Sequence, residues 1–310
     1  MFPTSCPEIG ACPRVNVCSA VPRRPASDLA RLWRRACRLA ALLARAAGAQ
    51  PAQAQLAEGG ARLLGLGRAG VALGGEAWGH VNPAAWAGLG ERRGALQASQ
   101  AFGLAELRLA QLTAAAPTPV GTVAVAARSY GFSEHRETRV AVGLGRAVRL
   151  SPTRRLDAGL SVGYESATTE GYSSVGTVLL ALGVQGDVVR GLRAGLAGRN
   201  LLGILWDGDE DVRHSLATVP AIAVGLAYTP AAGATLVLDA EQDLDAGLSL
   251  RAGVEVFPVS VLALRVGVSD GPARLSAGAG VRAGALRADI AVERHESLGI
   301  TPAVGIEVSF

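Results

Sequence analysis

The glycine motif Gly65–Gly70, GLGRAG, has the G-x-G-x-x-G spacing with which a strand–turn–helix unit binds a pyrophosphate. That chemistry requires a strand that enters the turn and a helix that leaves it with free N–H groups. Residues 55–62 contain no strand-like apolar run, and further glycines and Asn82-Pro83 interrupt any helix downstream. Because 40 glycines in 310 residues make chance matches frequent, the motif does not predict a dinucleotide cofactor.

Metal and catalytic chemistry also finds little support in the sequence. The acidic run Asp207–Asp211, DGDED, suggests a cation loop, but an EF-hand would need glycine at position six and glutamate at position twelve, where Val212 and Thr218 stand. No G-x-S-x-G or H-E-x-x-H motif occurs, and the histidines have no metal-ligand spacing. The chain has four of them: His80, His135, His214 and His295. We therefore expect solvated loops and no enzyme activity, metal or cofactor.

The first 54 residues differ from the rest in charge and in cysteine content. The formal net charge is +4, and all 30 basic residues are arginine. Eight of these arginines and only two acids precede residue 55, which leaves 22 arginines against 24 acids in the body of the protein. The four cysteines also precede residue 55, which excludes a disulfide framework or a thiolate metal site in the body. A basic excess confined to the leader gives no nucleic-acid footprint on the folded body.

An export signal is predicted at about residues 31–54, within a leader of residues 1–54. A cationic segment, an apolar run and two A-x-A cleavage sites follow one another there. Arg45 interrupts the apolar run, and residues 1–30 fit no segment of a signal peptide. A translation start downstream of residue 1 is therefore a further hypothesis, which N-terminal sequencing of the mature protein would test.

Apolar residues alternate with polar or small residues along the body. In Leu286–Glu293, LRADIAVE, one face carries Leu, Ala, Ile and Val, and the other carries Arg, Asp, Ala and Glu. No apolar run reaches the roughly 18 residues of a membrane-spanning helix, whereas a period of two predicts strands with one apolar face. Fourteen such segments are predicted: 93–101, 105–116, 120–130, 137–150, 155–167, 172–186, 191–200, 220–229, 234–243, 246–257, 261–269, 273–283, 285–294 and 301–310.

The connections between these segments alternate between short turns and longer, charged loops, which is typical of outer-membrane barrels. Most aromatic residues fall near predicted strand ends, as in interfacial belts. The last strand ends the chain at Phe310 and resembles the carboxy-terminal signal that the barrel-assembly machinery reads. The sequence therefore predicts an all-β fold, a transmembrane antiparallel barrel over residues 92–310 in the bacterial outer membrane. Lipid and the assembly machinery are its expected partners.

Three segments together resemble the PorV/PorQ-type outer-membrane proteins, which are relatives of the FadL hydrocarbon transporters. They are Arg68–Gly75 with Val81–Gly88, Arg199–Gly203 leading to Val219–Ala221, and Leu298–Phe310. The chain departs from the pattern at Val81, where an aromatic residue is usual, and at Ala85, where glycine is usual.

The resemblance implies a fourteen-stranded barrel whose N-terminal segment, residues 55–91, folds into or under the lumen as a hatch. Glycines there would permit close backbone packing or positive φ, and Asn82-Pro83 would fix a turn. The predicted hatch residues are Gly65, Gly67, Gly70, Gly74, Gly75, Asn82, Pro83 and Trp86. Mixed charges are predicted to line the lumen and to form ion-pair ladders. They are Asp157, Glu165, Arg265, Arg274, Arg282, Arg287, Asp289 and Glu293.

One predicted loop carries apolar side chains where solvent exposure is expected, a pattern of contact sites for a ligand, a partner or lipid. This candidate contact surface consists of Leu201, Leu202, Ile204, Leu205 and Trp206. Two functions stay open: passage of hydrophobic or small solutes through a hatch-gated barrel, or, as the PorV resemblance implies, a type IX secretion scaffold that hands exported proteins to the cell surface. A surface-located enzyme such as a lipase is a third alternative, for which no nucleophile–base pair is recognisable.

Overall fold

The computed structural model describes residues 59–75, 77–151, 154–172, 174–202, 219–231, 233–244 and 247–310. These residues form fourteen antiparallel strands, each paired with its neighbours in sequence, and β14 pairs with β1 to close a barrel. The strands are β1 (Arg93–Gln100), β2 (Arg108–Thr118), β3 (Gly121–Gly131), β4 (His135–Ser151), β5 (Arg154–Thr169), β6 (Val175–Val189), β7 (Leu192–Arg199), β8 (Ala221–Ala231), β9 (Ala234–Asp243), β10 (Gly247–Val259), β11 (Leu262–Ser269), β12 (Arg274–Ala283), β13 (Leu286–His295) and β14 (Gly299–Ser309). The predicted fold class is confirmed, and each predicted segment overlaps one strand, in order, with ends within three residues of the observed ones. The leader predicted at residues 1–54 lies outside the described residues.

The alternation of side chains decides which face of each strand points outward. In β11, Val266 is 56% exposed, whereas the neighbouring Arg265 is 3% exposed. In β13, Ile290 and Asp289 differ in the same way. Leucine, valine and isoleucine therefore cover the outer wall, and so large an apolar surface is stable against lipid rather than water.

The two ends of the barrel differ in the length of their connections. Six connections of two residues each lie at one end, which we call the turn end. They join β2 to β3, β4 to β5, β6 to β7, β8 to β9, β10 to β11 and β12 to β13. The other seven connections have from three to 21 residues and lie at the loop end. The predicted alternation is confirmed. In outer-membrane barrels such short turns lie in the periplasm and the longer loops lie outside the cell.

Helices in the described residues are short. The α-helix α1 is Gly60–Gly65, and 3-10 helices cover Pro83–Gly88, Ala101–Gly103 and Ala105–Leu107. Within the described ranges, no helix has both the length and the apolar character needed to cross a membrane.

Residues 59–75 and 77–89, which we call the lumen segment, lie inside the barrel. Helix α1 packs on β12, β13 and β14, while the 3-10 helix Pro83–Gly88 packs on β4, β5 and β6. The most deeply buried large apolar side chains of the segment are Leu63, Leu64, Leu66 and Val71, each at most 2% exposed. The segment therefore reaches opposite sides of the wall and forms the apolar core inside the barrel.

Candidate functional site

The lumen segment approaches the wall closely because glycines face it from the strands. At each of these wall positions a Cβ atom would collide with the segment or touch it. They are Gly143, Gly145, Gly159, Gly183, Gly195, Gly225, Gly253, Gly267 and Gly278. Glycine lacks a Cβ, so these positions on eight strands let two backbones meet at van der Waals distance.

Of the predicted hatch glycines, Gly65 and Gly67 make the same backbone contact from the other side, and the other three have different surroundings. A Cβ on Gly67, which has φ of 67°, would lie 2.6 Å from the carbonyl oxygen of Val268. Gly65 faces Gly278, Gly70 faces a leucine of the segment itself, and Gly74 faces the Arg193 guanidinium. Gly75 has open space around it but a φ of 72°, which favours glycine.

Two backbone N–H groups of the G-x-G-x-x-G motif, and the N–H group of the residue that follows it, are bound by the barrel wall. Gly70 N and Val71 N donate to Asp239 Oδ2 at 2.6 and 3.0 Å, and Gly67 N donates to Ser276 Oγ at 2.9 Å. A helix precedes this turn, where a dinucleotide site would have a strand. The donors that a pyrophosphate would use are therefore anchors of the lumen segment.

Asn82, Pro83 and Trp86 fix the second half of the segment. The Asn82 side chain accepts from Ala84 N at 3.0 Å and donates to Val71 O at 2.6 Å, so it joins the two halves. Pro83 begins the 3-10 helix, as its fixed φ favours. Trp86 Nε1 donates to Ala77 O at 2.9 Å, and the indole ring lies against wall glycines of β4.

A chain of alternating charges lines the wall near the turn end, and we call it the turn-end ladder. Arg62 of the lumen segment binds both oxygens of Glu255, and Arg265 Nε donates to Glu255 Oε1 at 2.7 Å. Arg265 Nη1 also binds Asp289 Oδ1 at 2.7 Å. The ladder continues from Asp289 through Arg287 and Glu307 to Arg93. Its carboxylates thus connect β10, β13 and β14 into one network.

A second set of charges lies nearer the loop end. Arg68 of the lumen segment donates from Nε and Nη2 to the two oxygens of Glu293, at 2.8 and 2.7 Å. Arg274 Nε lies 3.8 Å from Glu293 Oε1. Glu241 is shared in turn by Arg199 and Arg251. Of the charges predicted to line the lumen, Arg282 differs from the rest because it is exposed at the turn end of β12.

The predicted contact surface is described only in part. Leu201 and Leu202 are half-buried, and Leu201 N donates to Leu180 O at 2.9 Å. Ile204, Leu205 and Trp206, and the acidic run that follows them, lie outside the described residues. Phe310 is 72% exposed, and its N–H donates to Arg92 O at 3.0 Å.

Sequence reasoning missed several anchors of the lumen segment. Asp239 and Glu255 occupy inward-facing positions of predicted strands, so the alternation already contained the signal that would have found them. Arg62 and Arg68 belong to a segment without regular alternation, where no periodic signal exists. Among the described residues no group of three His, Cys, Asp or Glu side chains could hold a metal ion.

No protein-family model matches the sequence, and no curated protein matches it. The fold, in contrast, matches solved outer-membrane channels. The CymD monoaromatic hydrocarbon channel has a TM-score of 0.59 at 12% identity, over 83% of this chain and 98% of that one. The Ralstonia pickettii toluene transporter TbuX has 0.58 at 11% identity, and a Pseudomonas aeruginosa FadL homologue has 0.56 at 10%, each over 83% of this chain and 99% of the other. This protein is an outer-membrane β-barrel with a FadL-like fold. The predicted localisation in the bacterial outer membrane is thereby confirmed.

Proposed function

We propose that this protein is a channel for hydrophobic small molecules across the outer membrane, with no catalytic step, and that the lumen segment closes it. The observation that carries the proposal is an apolar surface inside the barrel. It joins the lumen segment to β7, β8 and β9 through Leu63, Leu66, Ala69, Val71, Ala72, Leu73, Val81, Ala197, Ala223, Ala227 and Val237. A water-filled porin has a polar interior, whereas an apolar wall hidden behind a segment suits an apolar solute.

The structural neighbours support the same class of solute. Two of them are described as a toluene transporter and a monoaromatic hydrocarbon channel. At 10–12% identity the likeness concerns the fold, so the solute of this protein is inferred from the apolar surface between its lumen segment and β7, β8 and β9.

The contacts of the lumen segment suit a movable hatch. No described residue of the segment belongs to a strand, and its anchors are side-chain contacts such as Arg62–Glu255, Arg68–Glu293 and the N–H groups on Asp239. Displacing the segment would break these contacts and leave all fourteen strand pairings in place. The barrel can therefore open without unfolding.

A disulfide between Ala61→Cys and Gly305→Cys tests the channel proposal. A Cβ at Gly305 would lie 3.6 Å from the Ala61 Cβ, which suits the roughly 3.5–4.5 Å of a disulfide. In a background whose four native cysteines are serine, we expect toluene entry into proteoliposomes to stop on oxidation and to return on reduction. Each single-cysteine variant is the control. Equal toluene entry in the oxidised and reduced double variant would refute a movable hatch.

The same variant separates the channel from the secretion scaffold that the PorV resemblance implies. A scaffold that hands exported proteins to the surface acts through its loops and requires no opening of the lumen. Oxidation would then leave the amount of surface-exposed exported protein unchanged. Loss of that protein in the absence of the Leu201 and Leu202 side chains, together with toluene entry that oxidation does not change, would favour the scaffold over the channel.

A further inference from the structure

Three buried polar side chains lie opposite one another on adjacent strands at the loop end of the lumen. Ser269 on β11 pairs with Arg274 on β12, and Arg274 pairs with His295 on β13. The three residues are 9%, 6% and 4% exposed, while the neighbouring Val268 and Leu275 are exposed on the outer wall. Directly opposed side chains on one sheet face have Cβ atoms about 4.5–5.5 Å apart. The three residues therefore form one inward-facing row.

Each member of this row has a hydrogen-bonding atom without a partner among the described residues. The atoms are Ser269 Oγ, Arg274 Nε and Nη2, and His295 Nε2. His295 Nδ1 accepts from the backbone N–H groups of Ser297 and Leu298 at 3.1 and 3.2 Å, so the neutral ring carries its proton on Nε2. All three side chains can therefore donate, and among these atoms only the Ser269 hydroxyl can also accept. Burying such donors is costly, and an acceptor placed among them would offset that cost.

The other arginines of the lumen show which acceptor fits. Arg62 and Arg68 each use the Nε–Nη2 edge of the guanidinium to bind both oxygens of one carboxylate. Arg274 has the same edge without a hydrogen-bond acceptor, because Glu293 Oε1 is 3.8 Å away and both Glu293 oxygens accept from Arg68. Two parallel N–H groups match the geometry of a carboxylate. One guanidinium charge also matches a carboxylate better than a phosphate, which carries about −1.5 to −2 at neutral pH.

An aromatic ring adjoins the row. The rings of Phe102 and His295 meet edge to face with their centroids 5.6 Å apart, and Phe102 N donates to Thr301 Oγ1 at 3.1 Å. Phe102 lies in the connection between β1 and β2 and has φ of 56°, a conformation that non-glycine residues rarely adopt. The local fold therefore holds an apolar ring beside the donor row.

We propose that Ser269, Arg274 and His295 form a carboxylate-binding site at the loop end of the lumen, with Arg274 as the bidentate ligand and the other two as flanking donors. As a selector of carboxylated solutes, the site rests on the proposed channel function. As a binding site, it is tested on the purified protein without any transport.

The test is isothermal titration of the detergent-solubilised, folded barrel with benzoate, with its neutral isostere benzamide and with acetate. Benzoate should bind at least tenfold more tightly than benzamide. If acetate displaces benzoate, a carboxylate group is enough for binding. If benzoate binds and acetate does not, the site requires a carboxylate on an apolar solute. Both results support the site. Absence of binding by both carboxylates would overturn it.

Variants locate the binding. Arg274→Gln removes the charge and the pair of parallel N–H groups, and should weaken benzoate binding by about 10- to 100-fold, the range of a charge-assisted hydrogen bond. Arg274→Lys keeps the charge without the parallel N–H groups and should give an intermediate loss of benzoate affinity. Arg282→Gln, on the same strand but exposed at the turn end, should bind as the unchanged protein does. Equal benzoate affinity of Arg274→Gln and Arg282→Gln would overturn the proposal.

A second variant serves if Arg274→Gln does not assemble. Ser269→Ala removes one neutral donor and leaves every charge in place, so about a fivefold loss of benzoate affinity is expected; an unchanged affinity would contradict the site. If the protein binds no benzoate but toluene entry into the double-cysteine variant still depends on its redox state, the carboxylate site is refuted and the channel stands. If the protein binds benzoate but toluene entry does not depend on the redox state, the site stands and the movable hatch is refuted.

Discussion

Two sets of charges in the same lumen are paired to different degrees. In the turn-end ladder, Glu255 is hydrogen-bonded by both Arg62 and Arg265. Near the loop end, Glu293 is hydrogen-bonded by Arg68, while Arg274 remains 3.8 Å away. The residue types and the wall face are the same in both places. What differs is the contact between the arginines and their carboxylate. Glu255 joins two arginines by hydrogen bonds, which stiffens the wall, whereas Arg274 has no hydrogen bond to Glu293 and retains the capacity to bind an acceptor.

The lumen segment separates these two sets. Gly65 lies against Gly278, and Leu66 and Gly67 lie against Gly253 and Gly267, between the ladder on one side and Arg274 on the other. The segment also supplies one arginine to each set, Arg62 and Arg68. Movement of the segment would therefore change the ion pairs of the turn-end ladder and those near the loop end together.

The largest effect on stability is expected from Glu255→Gln. This change leaves two buried guanidinium groups without their shared carboxylate, and breaking a buried ion pair costs about 3–5 kcal/mol. Urea unfolding followed by tryptophan fluorescence measures the loss. Glu91→Gln is the control, because Glu91 forms a half-exposed pair with Arg93 and should cost less than about 1 kcal/mol. Similar losses in the two variants would contradict the importance of the ladder.

A smaller loss of stability, with a change in binding, is expected from Arg68→Gln. Glu293 is released by this change and can pair with Arg274, whose Nε already lies 3.8 Å away. Pairing with Glu293 would occupy the edge that we assign to a carboxylate, so benzoate affinity should fall about tenfold. Titration with benzoate checks this, with Arg282→Gln again as the control. If Arg68→Gln binds benzoate as tightly as the unchanged protein, Arg274 is not the ligand.

The strands could be predicted from the sequence because side-chain alternation is a local property of each strand. The segment predicted at 234–243 coincides with β9, Ala234–Asp243, since a wall with lipid on one side and lumen on the other enforces a period of two at every position. The inward position of Arg265 and Asp289 follows from the same pattern.

The contacts of the lumen segment could not be predicted in this way. Arg62 and Arg68 bind partners 193 and 225 residues away, and no local pattern encodes such a distance. The lack of a hydrogen bond at Arg274 Nε and Nη2 could not be predicted either, because it depends on the position of Arg68, which binds Glu293 instead. The glycine motif was identified from its spacing, but the roles of Gly65 and Gly67 became visible only with the wall beside them.

The central claim is that the lumen segment closes a membrane-spanning barrel, and ion conductance across planar bilayers tests it most directly. Gly267→Val places a side chain where the backbone of Leu66 and Gly67 lies, whereas Gly94→Val adds one into open space. Among proteins that migrate as folded barrels on unheated gels, we predict no steady conductance for the unchanged protein and for Gly94→Val, and open-channel conductance for Gly267→Val. Equal conductance in all three would contradict the account.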